Sequence, residues 1–101
     1  MSSPGELEEF LARQRADYGR ALPARVAGLR EAWQRAAASC SDDDYGALQR
    51  AAHSIAGSGG TFGFAAVGTA ARELEAAVER RDEAAIVTAL ARLEETLPDG
   101  V

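Results

Sequence analysis

The chain has 101 residues, 47% of them hydrophobic, enough for one buried core and hence one domain over residues 1–101. Its net charge of -5 argues against the basic surface that a nucleic-acid backbone requires and favours a protein partner. No apolar run approaches the roughly 18 residues that cross a bilayer, and Met1-Ser2-Ser3-Pro4-Gly5-Glu6 lacks the basic-then-apolar order of a signal sequence, so the expectation is a cytoplasmic protein with no membrane partner.

Pro4-Gly5-Glu6-Leu7-Glu8-Glu9-Phe10-Leu11 opens a short helix, its proline and acids suiting a first turn, with Leu7, Phe10 and Leu11 as an apolar side. It can extend through Tyr18 toward Pro23, which is expected to kink it or to begin the next helix. Leu22, Val26, Leu29, Trp33 and Ala36 or Ala37 keep helical spacing to about Ser39, and Trp33 is read as core. Cys40 has no disulfide partner and no nearby zinc ligands, so it is expected to pack as a small apolar residue. In the polar turn Ser39-Cys40-Ser41-Asp42-Asp43-Asp44, Ser41 or Asp42 caps the following helix. The other aspartates sit against its dipole rather than on a metal.

That helix is expected from about Asp43 to Gly59, with Tyr45, Leu48, Ala52, Ile55 and Gly59 as its buried stripe. The single histidine, His53, stands about 100° around from the stripe, on a flank with Gly46, Gln49, Ala56, Gly57 and Gly60. Glycine inside a helix costs about 0.5–1 kcal/mol relative to alanine, so Gly57 is read as clearance beside the ring, and Gly59 or Gly60 as the helix stop. Thr61-Phe62-Gly63 reverses the chain with Phe62 as anchor. Phe64, Val67, Ala70 or Ala71, Leu74 and Val78 then form a helical stripe ending near Arg80-Arg81. Asp82 caps a last helix with Ile86, Ala89, Leu90, Leu93 and Leu97 inward, and Pro98-Asp99-Gly100 ends it. No segment alternates with period two, so the fold class is all-α: an antiparallel up-down four-helix bundle, core about 20–97, with a short N-terminal helical extension. Arg72-Glu73, Glu79-Arg80-Arg81 and Glu94-Glu95 are read as solvated faces.

Ala52-His53-Ser54-Ile55-Ala56-Gly57-Ser58-Gly59-Gly60-Thr61-Phe62-Gly63, with the later Ala70-Ala71-Arg72-Glu73-Leu74-Glu75, resembles a histidine-containing phosphotransfer (HPt) domain, most strongly over residues 45 to 80. His53, Ile55, Gly57, Ser58 and Gly63 match the family pattern, whereas Ala56 stands where many members carry a lysine thought to support the phosphoryl group. The resemblance implies a carrier in a two-component phosphorelay, not an enzyme: His53 accepts a phosphoryl group from a receiver-domain aspartyl phosphate and passes it on. The receiver, part of a response regulator or hybrid histidine kinase, would bring the Mg²⁺, leaving this chain without cofactor or metal and acting as a monomer. On this reading Gln49 donates to the phosphoryl oxygens, Arg50 assists as a cation, and Gly46, Ala56, Gly57 and Gly60 give clearance and a docking face.

Other readings are weaker. Gly57-Ser58-Gly59-Gly60 lacks the Gly-Lys-Ser/Thr ending of a nucleotide loop and follows a helix where such loops follow a strand. Acid-base catalysis by His53 would need a pocket and an orienting carboxylate, and Gln49 and Arg50 are no such orienter. A phosphorylation-independent helical adaptor for a receiver or kinase is the alternative that Ala56 leaves standing. The starting Met and the length lean toward a free-standing protein.

Overall fold

The computed structural model describes residues 4–97, and the expected Pro98-Asp99-Gly100 stop lies outside them. Among the described residues the structure is all-helical: α1 (Pro4–Ser39), α2 (Asp42–Thr61), α3 (Ala65–Glu79) and α4 (Glu83–Glu95). Short connections join antiparallel neighbours, and Leu22, Leu29, Leu48, Ile55, Leu74, Ile86, Leu90 and Leu93 fill the core.

Of the two outcomes expected at Pro23, the start of a new helix does not occur, since α1 continues through it. An interior proline removes one backbone hydrogen bond and costs about 3 kcal/mol in isolation. Leu22 and Val26, on either side of Pro23, are almost fully buried, and each such side chain contributes about 1.5–3 kcal/mol, which offsets that loss. The N-terminal extension is therefore the first turns of α1 itself. Leu7, Phe10 and Leu11 are exposed there, and the molecule is 52 Å long, close to the length of α1 alone at about 1.5 Å per residue.

Tyr18 fastens α1 to the turn after α2. Its ring stacks on Phe62 at 4.8 Å and lies 5.7 Å from Phe64, while its hydroxyl is 2.6 Å from Ser58 Oγ. Trp33 is in the core, edge-on to Tyr45. Cys40 is not a packing residue: it is exposed, in the left-handed turn that ends α1, with φ at 54°. Ser41 caps α2 by accepting from the Asp44 N–H at 3.1 Å, and Asp82 caps α4 by accepting from Ala85.

None of Gly57, Gly59 and Gly60 stops α2, which runs on to Thr61, and the reversal is made at Gly63, with φ at +86°. Gly59 has another task. A Cβ there would lie 3.0 Å from the Gly68 nitrogen, and one on Gly68 would lie 3.2 Å from the Gly60 nitrogen, so α2 and α3 touch backbone to backbone. At the far side of the bundle, Glu94 is not merely solvated. Arg30 Nε and Nη2 donate to its two oxygens at 2.6 and 2.5 Å, tying α1 to α4. The hydrogen bonds from Arg30 hold the Glu94 carboxyl below the usual glutamate range.

Gly59→Ala forces a methyl against backbone that cannot yield and should cost about 1–3 kcal/mol in thermal or urea unfolding. Gly28→Ala, exposed in α1 with nothing near its would-be Cβ, should gain about 0.5–1 kcal/mol. For Glu94, a carboxyl depressed in the folded state stabilises above the unfolded titration and loses that contribution as pH falls through its folded titration. Urea unfolding should show Glu94→Gln less stable than the parent at pH 7, with the gap closing below about pH 4.

Candidate functional site

The stripe of Tyr45, Leu48, Ala52 and Ile55 is buried, which turns His53 outward at the edge where α2 meets α3. The His53 side chain is 75% exposed, so no cavity encloses it. Its Nδ1 is 2.7 Å from Glu75 Oε2 on α3, and the Glu75 side chain is itself only 20% exposed. A carboxylate only accepts, so Nδ1 carries the hydrogen and donates it. The lone pair is thereby assigned to Nε2, at the other side of the ring.

Glu75 is the site residue that the sequence alone does not reveal, because local spacing relates His53 only to residues of its own helix. Glu75 lies 22 positions away in the chain. A hairpin turning near Phe64 brings together residues equidistant from that turn, and His53 and Glu75 satisfy this count. One turn back, Gln49 and Glu79 satisfy it too: Gln49 Nε2 donates to Glu79 Oε1 at 3.0 Å. The amide of Gln49 is thus already engaged, and Glu79 is more than a solvated face.

Arg50 is exposed, and its guanidinium leans toward Gly46, where Nη1 would stand 3.2 Å from an added Cβ. That direction leads away from His53. Gly57 is exposed with nothing within 4 Å of its would-be Cβ, and Gly60 is exposed beside Arg72, so both leave open surface C-terminal to the ring. Ala56 does not join them. It is 4% exposed, covered where α3 comes closest, and its carbonyl lies 3.3 Å from the position of a Cβ on Gly68. From His53, residue 57 is turned by about +40° around the helix and residue 56 by about -60°, and the latter side is the one α3 occupies. Ala56 therefore provides neither clearance nor docking surface.

On the other flank, Arg25 of α1 donates to Ser54 Oγ at 3.0 Å and lies over the Tyr18 ring. Ser58 Oγ donates to the Ser54 carbonyl at 2.8 Å. Among the described residues no group of three side chains is placed to hold a metal ion, and Asp42 instead accepts from Arg81. No described helix is long and apolar enough to cross a membrane.

The site is thus an exposed histidine on a four-helix bundle, oriented at one nitrogen by a neighbouring helix and left open at the other. Comparison with protein families matches residues 6–99 to the Hpt domain, and the chain belongs to that family. Hpt domains take part in histidine phosphotransfer relays as carriers rather than enzymes, and receiver domains are their partners. No curated protein and no solved structure gives a significant match.

The ring geometry is testable without any partner. Imidazole ¹⁵N–¹H correlation spectra of the neutral ring should show His53 as the Nδ1–H tautomer. In Glu75→Ala, which leaves the core untouched, the signals should move toward a mixture of tautomers.

Proposed function

We propose that this domain is a phosphorelay carrier in which His53 Nε2 takes a phosphoryl group from a receiver-domain aspartyl phosphate and later returns one to a receiver. The observation that carries this reading is the division of the ring, with Nδ1 donated to Glu75 and Nε2 left outward on an exposed side chain.

In the transfer, the Nε2 lone pair attacks phosphorus in line with the acyl-phosphate bond. The N–P bond forms, the P–O bond breaks, and its electron pair leaves with the receiver's aspartate. No proton is lost in that step, so the ring becomes cationic while Nδ1 keeps its hydrogen. Glu75 then faces a positive charge that was absent before, and its carboxylate favours the phosphorylated ring over the free one. The same contact prevents the ring from turning Nδ1 outward. Partner positioning supplies the rest, and the divalent cation used by this chemistry belongs to the receiver. Gly57 and Gly60 support close approach of that partner, since no side chain rises from either. Gln49 can donate to the phosphoryl group only by leaving Glu79.

Incubation with a phosphorylated receiver domain and Mg²⁺ should place acid-labile, base-stable phosphate on the parent chain and none on His53→Gln, whose melting temperature should stay within a degree or two because the ring is exposed. Glu75→Gln keeps a polar partner but removes the charge, and should slow uptake by about five- to tenfold. A parent chain that binds the phosphorylated receiver and takes no phosphate would be an adaptor, and the carrier reading would fail.

A further inference from the structure

We propose that Arg72 of α3 is the cation that receives the phosphoryl group on His53. The inference rests on the carrier reading of His53 and adds to it a residue on the neighbouring helix.

The register of α2 against α3 places it. His53 meets Glu75, Gln49 meets Glu79, and Gly60 meets Gly68, each pair equidistant from Phe64. The rung between His53–Glu75 and Gly60–Gly68 is Ala56 opposite Arg72. Ala56 is buried and carries no charge, whereas Arg72 is exposed at the same level. Its Nη2 stands 3.9 Å from where a Cβ on Gly60 would be, so the guanidinium overhangs α2 at its glycines. Gly57 lies between this guanidinium and His53, with open space above it. Side chains at 57 or 60 would fill that lane. Without them, the guanidinium, which stands about two turns along α2 from His53, can swing back over Gly57 to reach an anion on Nε2.

Arg72 also has its charge to spare. Among the described residues, Arg20, Arg30, Arg81 and Arg92 pair with carboxylates, and Arg72 pairs with none. The two other arginines near the histidine are less suited. Arg50 leans toward Gly46, away from the ring, and Arg25 is held by Ser54 and the Tyr18 face on the α1 side. A planar guanidinium with paired N–H groups suits two phosphoryl oxygens at once.

A cation bound to the phosphoryl group makes its last proton easier to lose, which can be measured without a receiver. Phosphoramidate phosphorylates histidine chemically, and His53 is the only histidine in the chain. The ³¹P pH titration of the product gives the proton affinity directly. Arg72→Ala should raise that affinity by about two- to fivefold at low salt, an exposed ion pair being weak, and the difference should shrink toward 0.5 M salt. Arg72→Lys should restore part of it, and Arg50→Ala and Arg25→Ala should leave the midpoint unchanged. An unchanged midpoint in Arg72→Ala, or an equal shift in either of the other two variants, overturns the proposal. Because phosphoramidate replaces the receiver, failure of receiver transfer with an intact Arg72 effect would count against the carrier reading alone.

Discussion

Gly59 and Gly68 let the α2 and α3 backbones meet with no side chain between them, and the arrangement of the site depends on that contact. An ordinary residue at either place would push the helices apart by the thickness of a methyl group. His53 and Glu75 meet at 2.7 Å, and Gln49 and Glu79 at 3.0 Å, across that close approach. A wider separation would require these side chains to extend further to keep both hydrogen bonds, at a cost in side-chain freedom. The small residues therefore act on the chemistry from a distance by fixing how far apart two polar edges stand.

The same contact explains how an exposed ring keeps one orientation. An unconstrained surface histidine samples several rotamers and both tautomers. Here the partly buried Glu75 is the fixed point, and the ring is tethered to it at one nitrogen while the other faces solvent. The α1 side is held as well, by Arg25 on Ser54 and Tyr18 on Ser58, so the turn of α2 that bears His53 is braced from two helices.

What was legible in the sequence is what helical periodicity encodes. The buried stripe of α2, the outward place of His53, the Ser41 and Asp82 caps and the Phe62 anchor all follow from local spacing, and the structure has them. What was not legible depends on which neighbour lies alongside. Ala56 and Gly57 are adjacent in the chain, yet one is covered and the other open, because only the approach of α3 distinguishes them. Glu75 looks like any surface glutamate until α3 is laid beside α2. That α1 runs on through Pro23 is not legible either, because the local penalty of a proline can be read from the sequence and the burial that offsets it cannot. Cys40 was assigned from the habits of its residue type, whereas a left-handed turn at the end of α1 put it in solvent.

The α2–α3 connection has a consequence for how this site comes into being. Only Phe62, Gly63 and Phe64 separate the two helices, so Glu75 lies 22 positions from the His53 it orients and Glu79 lies 30 from Gln49, whereas the α1–α4 fork joins residues 64 apart. Closing a short connection loses little chain entropy, and closing a long one loses more. The geometry around His53 is thus encoded in a two-helix hairpin of low contact order, which can take its register before the ends of the chain are brought together. In a chain of this kind the outer helices supply cover and stability to a centre whose shape is already written into the hairpin.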